Sequence, residues 1–130
     1  MIIGTGGPDR IYAYGGDDVV CGGDGNDVIY SGMPPADGEF SDADRVDCEN
    51  GSDEIHGGTD QDELRGGALD DRIYGDDGAD TIYGGPGDDY ILCGNNPADW
   101  ADGGTHVVGG APDVDGPVVG TGCAWAYNIP

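Results

Sequence analysis

Positive charge is nearly missing from this chain. Four arginines are its whole basic complement, against 27 aspartates and glutamates, for a formal net charge of -23. So acidic a protein repels the phosphates of nucleic acid and the headgroups of anionic membranes, and it attracts cations. Long apolar runs are missing too: no stretch approaches a membrane span or the core of a signal peptide. The cysteines form no CxxC pair, and neither His56 nor His106 stands in a zinc-type spacing with them. Also absent are an HExxH metalloprotease motif, a GxSxG nucleophile elbow and a phosphate-binding Walker loop. The expectation is a protein that is not an enzyme, in which His56 and His106 are surface or cap residues.

Glycine and aspartate are in excess, and they are in register. With 28 glycines in 130 residues, an ordinary helical or sandwich core is excluded, because glycine packs nothing and costs backbone entropy. Such acidity often marks a disordered chain, but disorder needs no strict spacing. Asp9, Asp18, Asp27, Asp44, Asp53, Asp62, Asp71, Asp80 and Asp89 are each followed two residues later by an aliphatic side chain, from Ile11 and Val20 to Ile82 and Ile91. The step is nine residues except between Asp27 and Asp44, where 17 residues indicate an insertion of eight. The clearest copies are 22–30 (GGDGNDVIY), 75–83 (GDDGADTIY) and 84–92 (GGPGDDYIL), which fit GGxGxDxUx with U a large aliphatic residue. Aspartate holds the sixth place of each nonapeptide and the aliphatic residue the eighth.

This pattern dictates a shape. Glycines at the first, second and fourth places, such as Gly22, Gly23 and Gly25, permit a tight turn with positive φ and leave carbonyl oxygens uncovered. The last three places form a short strand in which only the middle side chain is expected to point inward. Two repeats then make one 18-residue turn of a flattened coil, with strands stacked about 4.8 Å apart. No single repeat could bury the thin aliphatic core that results. Residues 18 apart become neighbours, which sets Glu54 beside Arg72, Arg45 beside Glu63 and Asp47 beside Arg65. It also stacks Tyr12 over Tyr30 and His56 over Tyr74, either as a stabilising aromatic ladder or as a platform for a sugar or protein. Stacked aspartates call for cations. Calcium suits them best, since it takes six to eight oxygens from carboxylates and carbonyls, whereas magnesium wants a strict octahedron and softer metals want His or Cys.

The nonapeptides resemble the RTX (hemolysin-type) calcium-binding repeats over about two-thirds of the chain. The resemblance implies an all-β, right-handed parallel β-roll, with calcium held between turns 18 residues apart. It implies that the earlier turn gives carbonyls at its second and fourth places plus its aspartate, and the later turn carbonyls at its first and third places plus its aspartate. Carried onto this sequence, one site joins Thr5, Gly7 and Asp9 to Gly22, Asp24 and Asp27. A second joins Gly58, Asp60 and Asp62 to Gly75, Asp77 and Asp80. A third joins Gly67, Leu69 and Asp71 to Gly84, Pro86 and Asp89, and a fourth joins Glu49, Gly51 and Asp53 to Gly66, Ala68 and Asp71. Asp18, Gly23 and Gly25 are further candidates, and about four to seven ions are expected. Sites that involve Asp44 are doubtful because the insertion precedes it. Leu69 holds a fourth place that favours glycine and tolerates leucine poorly, so its loop is expected to be the least regular.

The expected organisation is a β-roll over 1–92, with a surface loop at about 32–41, and a capping segment over 93–130, where the register is lost. Cys21 with Cys48, and Cys93 with Cys123, are the expected disulfides, each closing a loop of about 30 residues; they place the protein in an oxidising compartment. The chain is expected to be a monomeric, secreted module of a larger protein, a mature region or excised domain whose export signal, if any, is missing. It would be unfolded in low cytosolic calcium and ordered outside. The alternative is an adhesion or matrix module that binds a glycan or protein through the tyrosine face or the inserted loop.

Overall fold

The computed structural model describes residues 1–32 and 43–104, and the backbone of 124–125. The inserted loop and most of the tail, Cys123 included, lie outside the described residues. Among the described residues there are strands and turns only, and no helix is long and apolar enough to cross a membrane. The strands are β1 (Ile2–Ile3), β2 (Arg10–Tyr12), β3 (Val19–Asp24), β4 (Val28–Tyr30), β5 (Arg45–Asn50), β6 (Glu54–Thr59), β7 (Glu63–Arg65), β8 (Arg72–Asp77), β9 (Thr81–Tyr83), β10 (Tyr90–Leu92), β11 (Trp100–Asp102) and β12 (Ala124–Trp125).

Strands alternate between two sheets, in the order β1-β3-β5-β7-β9-β11-β12 in one and β10-β8-β6-β4-β2 in the other. The pairings are parallel, and the register is the 18-residue one: Ile55 lies beside Ile73, and Leu64 beside Ile82. The chain is therefore a β-solenoid of about five turns, two strands to a turn. Across the insertion the offset becomes 26, with Val20 beside Val46 and Ile29 beside Ile55. The insertion thus shifts neither sheet.

The eighth places form the core. Val20, Ile29, Val46, Ile55, Leu64, Ile73 and Ile82 are completely buried, and Ile91 and Ile11 nearly so. The first place of the next repeat also faces inward, which the short-strand reading missed. Ser31, Cys48 and Cys93 stand there and are buried. In β5 the inward residues are Val46 and then Cys48, on the same face two residues apart.

That alternation overturns the first disulfide. Cys21 and Cys48 are free thiols. Cys21 is paired with Asp47, so Cys48 is offset by one residue and directed to the opposite face. Its main chain instead lies over Gly22, whose added Cβ would stand 3.3 Å from the Cys48 Cα. A one-residue slip flips a strand side chain, and no disulfide spans a sheet. The roll also runs past Leu92. β11 pairs with β9, with Trp100 beside Thr81 and Ala101 beside Ile82, and Ala101 continues the core.

On the outside, the expected neighbours are in register. Glu63 holds Arg45 at 3.8 Å and Arg65 at 2.6 Å, and Arg65 lies 5.0 Å over the Tyr83 ring. Glu54 contacts His56 at 3.3 Å. Tyr12, Tyr30, His56 and Tyr74 form one continuous stack, with centroids 5.1, 4.7 and 4.6 Å apart and planes within 8° of parallel.

Turn geometry repeats along most of the roll. Left-handed backbone occurs at second places, as in Gly23, Gly58 and Gly85, and at fourth places, as in Gly16 and Gly25. Tyr14, Glu49 and Asp76 adopt it at second places, and Asp60 and Leu69 at fourth places. The loop at Leu69 is therefore regular after all, with φ at 83° and its N–H donating to the Pro86 carbonyl at 2.9 Å. Neighbouring turns force the conformation on a residue that disfavours it. Since Leu69 is mostly exposed, Leu69→Gly removes strain of about 1–2 kcal/mol and costs about 0.5–1 kcal/mol of chain entropy. The variant is expected to melt a few degrees higher in calcium by differential scanning calorimetry; a lower melting temperature would show that the turn is not strained.

Candidate metal centre

Two columns of aspartates run along the roll, one from Asp9 through Asp27, Asp53 and Asp71 to Asp89, the other from Asp18 through Asp44, Asp62 and Asp80. After the first member of each column, every carboxylate is fixed by its Oδ1, which accepts the backbone N–H of the aspartate one turn earlier. Asp9 donates to Asp27 at 2.9 Å, Asp27 to Asp53 at 2.7 Å, Asp53 to Asp71 at 2.8 Å and Asp71 to Asp89 at 3.0 Å. In the second column Asp18 donates to Asp44 at 2.9 Å, Asp44 to Asp62 at 2.9 Å and Asp62 to Asp80 at 3.0 Å. The sixth place precedes a strand edge, so its N–H points at the neighbouring turn; only a short carboxylate can reach it there.

The second oxygen is the anomaly. Asp27, Asp53, Asp62, Asp71 and Asp80 are at most 3% exposed, yet their Oδ2 atoms are buried without a hydrogen-bond partner. A buried carboxylate oxygen left so costs several kcal/mol, and native proteins satisfy such groups. Asp9 differs: its Oδ2 accepts from the Thr5 N–H at 2.6 Å and the Thr5 hydroxyl at 2.9 Å.

Backbone carbonyls converge on these oxygens. A Cβ added to Gly57 would stand 2.7 Å from Asp62 Oδ2 and 2.8 Å from the Gly75 carbonyl oxygen. One added to Gly66 would press on Asp71 Oδ2 and lie 2.8 Å from the Gly84 carbonyl, and one on Gly4 would meet Asp9 Oδ2 and the Gly22 carbonyl. The first place is thus the inner wall of the gap, where glycine keeps the space open. Carbonyls from second and fourth places point along the axis at the next turn: those of Thr5, Asp60, Gly67 and Leu69 face Gly23, Gly78, Gly85 and Gly87. The third-place carbonyls of Pro86 and Ala68 accept from Leu69 and Gly51 and keep a second lone pair.

The structure therefore brings together the turns of the first three expected sets. Asp24 and Asp77 are exposed and could enter only through their main-chain oxygens. In the fourth set the first place before Asp53 is Cys48, not glycine. Burial, then the carboxylates of Asp53, Asp71 and Asp27, push its thiol pKa far up, so it stays a neutral filler. Ser31 fills the corresponding place before Asp44, its hydroxyl donating to the His56 and Gly57 carbonyls at 3.1 and 3.0 Å. Sequence reasoning overlooked the gap between Asp27 and Asp53, where Gly22 is open and the Cys48 carbonyl lies 3.4 Å from its added Cβ. The first-place residues were the available signal. Among the described residues no three acidic, His or Cys side chains meet at one point; each gap offers two carboxylates and several carbonyls.

The family model of the RTX calcium-binding nonapeptide repeat matches the chain in four copies, over residues 1–29, 41–71, 49–81 and 65–96. The chain belongs to the RTX calcium-binding repeat family. No curated protein and no solved structure matches it. The matched copies span the turns that carry the unsatisfied oxygens, so the calcium-binding character of the repeats and the anomaly of the structure meet at the same residues. An all-oxygen gap with two carboxylates is calcium chemistry.

Without metal these carboxylates resist ionisation. Burial raises Asp53 to about 6, Asp62 and Asp71 to about 8 and Asp80 to about 7, against the backbone hydrogen bond that lowers each and with neighbouring aspartates adding to the rise. An unfolded aspartate titrates near about 3.9. Between these values the folded metal-free chain holds protons that the unfolded chain has lost, so its stability is present below pH about 4 and is lost as pH rises through about 6–8. Circular dichroism in chelator is expected to show more β structure at pH about 5 than at pH about 8, and calcium affinity is expected to fall over the same descent. Loss of structure on acidification in chelator would contradict this.

Proposed function

We propose that the chain is a secreted module that calcium folds, a structural or secretion-associated part of a larger extracellular protein. The observation that supports this most is the repeated unsatisfied Oδ2 facing carbonyls of the next turn. Two unit charges about 5 Å apart repel by about 3 kcal/mol at an effective dielectric of about 20, and the columns repeat that cost at every turn. A divalent ion between turns reverses its sign. In this reading the ligands are Thr5, Gly7 and Asp9 with Gly22, Asp24 and Asp27; Gly58, Asp60 and Asp62 with Gly75, Asp77 and Asp80; and Gly67, Leu69 and Asp71 with Gly84, Pro86 and Asp89. The gap after Asp53, walled by Cys48, is the weakest of the four. About four to seven ions remain the expectation, and Cys93 with Cys123 remains the proposed staple. The reading assigns no reaction to the chain.

Calcium binding free energy then becomes folding free energy. The low calcium of a cytosol would leave the chain unfolded and exportable, and millimolar calcium outside would order it.

The alternative adhesive role gains little from the aromatic face. Stacking on a sugar needs an open ring face, and in the stack the faces of Tyr30 and His56 are covered by their neighbours. The stack fits a ladder that ties successive turns together.

Excess EGTA is expected to abolish most β-sheet circular dichroism at neutral pH, and calcium in excess of the chelator to restore it. An unchanged spectrum in EGTA would overturn the proposal.

A further inference from the structure

The turn between β10 and β11 breaks the nonapeptide pattern, and it ends in an aspartate that the pattern does not assign. Asp99 follows Asp89 by ten residues and Asp80 by 19, and it lies beyond the matched repeats, which end at residue 96. The extra residue is taken up in a tight turn. There the Ala98 N–H donates to Asn96 Oδ1 at 3.0 Å and the Asp99 N–H to the Asn96 carbonyl at 3.2 Å.

Despite the altered spacing, Asp99 reproduces every feature of the columns. Its side chain is completely buried. Its Oδ1 accepts the Asp80 N–H at 3.1 Å, the bond made one turn earlier by Asp80 to Asp62. Its Oδ2 is buried and has no hydrogen-bond partner, and neither has Asp80 Oδ2. Cys93, at the first place of this turn, directs its carbonyl at the same gap: a Cβ on Gly75 would press on that oxygen and stand 2.7 Å from Asp80 Oδ2. The Asp76 carbonyl points at Gly94 across the same interval. Every donor is oxygen, since Cys93 contributes its main chain.

We infer that Asp80 and Asp99, with the carbonyl oxygens of Asp76 and Cys93, hold a divalent cation of the calcium type at a further site, closed by an aspartate that lies beyond the matched repeats. This rests on the reading of the chain as a calcium-ordered roll and extends it. The site lies where β11 joins the sheet, so its ion fastens the turn that leads into the tail. The chemistry requires hard oxygen donors and tolerates the ten-residue step, because the extra residue is absorbed before Asp99 and not between its oxygen and the gap.

The test counts calcium ions bound to the full chain by native mass spectrometry at saturating calcium, for the natural sequence and for Asp99→Asn. Asparagine keeps an oxygen that can accept the Asp80 N–H and removes the charge and the second oxygen. One ion fewer in Asp99→Asn, with circular dichroism in calcium unchanged, is expected. Asp47→Asn, on the outward side of β5, is expected to keep the full count. An equal count in Asp99→Asn overturns the inference and leaves the calcium-folded reading intact, while a natural chain that binds no ion overturns both. If Asp99→Asn does not fold, terbium decides. Trp100 adjoins Asp99, so tryptophan-excited terbium emission is expected to fall in Trp100→Phe with the ion count unchanged. Undiminished emission in that variant overturns the inference.

Discussion

The oxygens that face the gaps between turns constrain everything else in this structure. A carboxylate that uses one oxygen to cap the neighbouring turn's N–H is held rigidly, and its second oxygen is carried into the interior with it. The columns that this builds pass through Asp27, Asp53, Asp62, Asp71 and Asp80, with the second oxygen in each case unmatched by the protein. Such an array is stable only when protons or cations occupy it. The arginines of this protein, whose formal charge is -23, sit on outward faces, as Arg45 and Arg65 do beside Glu63.

The other regularities follow from that need. Turns present carbonyl oxygens toward the gap, with left-handed backbone at most second and fourth places, even where the residue is Leu69 or Glu49. Side chains must be absent from the inner wall, so the first place is glycine at Gly57, Gly66 and Gly75; where it is Ser31 or Cys48, a hydroxyl or a neutral thiol enters the space instead. The aliphatic core is left one residue thick. It is continuous from Ile11 to Ala101.

Most of the coil was legible in the sequence because its period is strict. The nine-residue step, the inward aliphatic residues and the 18-residue neighbours such as Glu54 with Arg72 and Tyr12 with Tyr30 all follow from counting. Counting failed where register is set by something other than the step. Cys21 and Cys48 looked adjacent because they flank one insertion, but a single-residue offset places them on opposite faces. Asp99 escaped notice because one added residue broke the spacing while the hydrogen bond to Asp80 preserved the geometry. The inward first place was hidden because glycine has no side chain to reveal a direction; residues such as Ser31, Cys48 and Cys93 expose it.

A crystal structure grown in calcium, with anomalous scattering used to locate the ions, tests the central claim most directly. Ions are expected between successive aspartates of a column, about 2.3–2.6 Å from the second carboxylate oxygens and from the carbonyls of the following turn. Ions confined to exposed carboxylates such as Asp17 and Asp70, with no density beside Asp71 or Asp80, would contradict it.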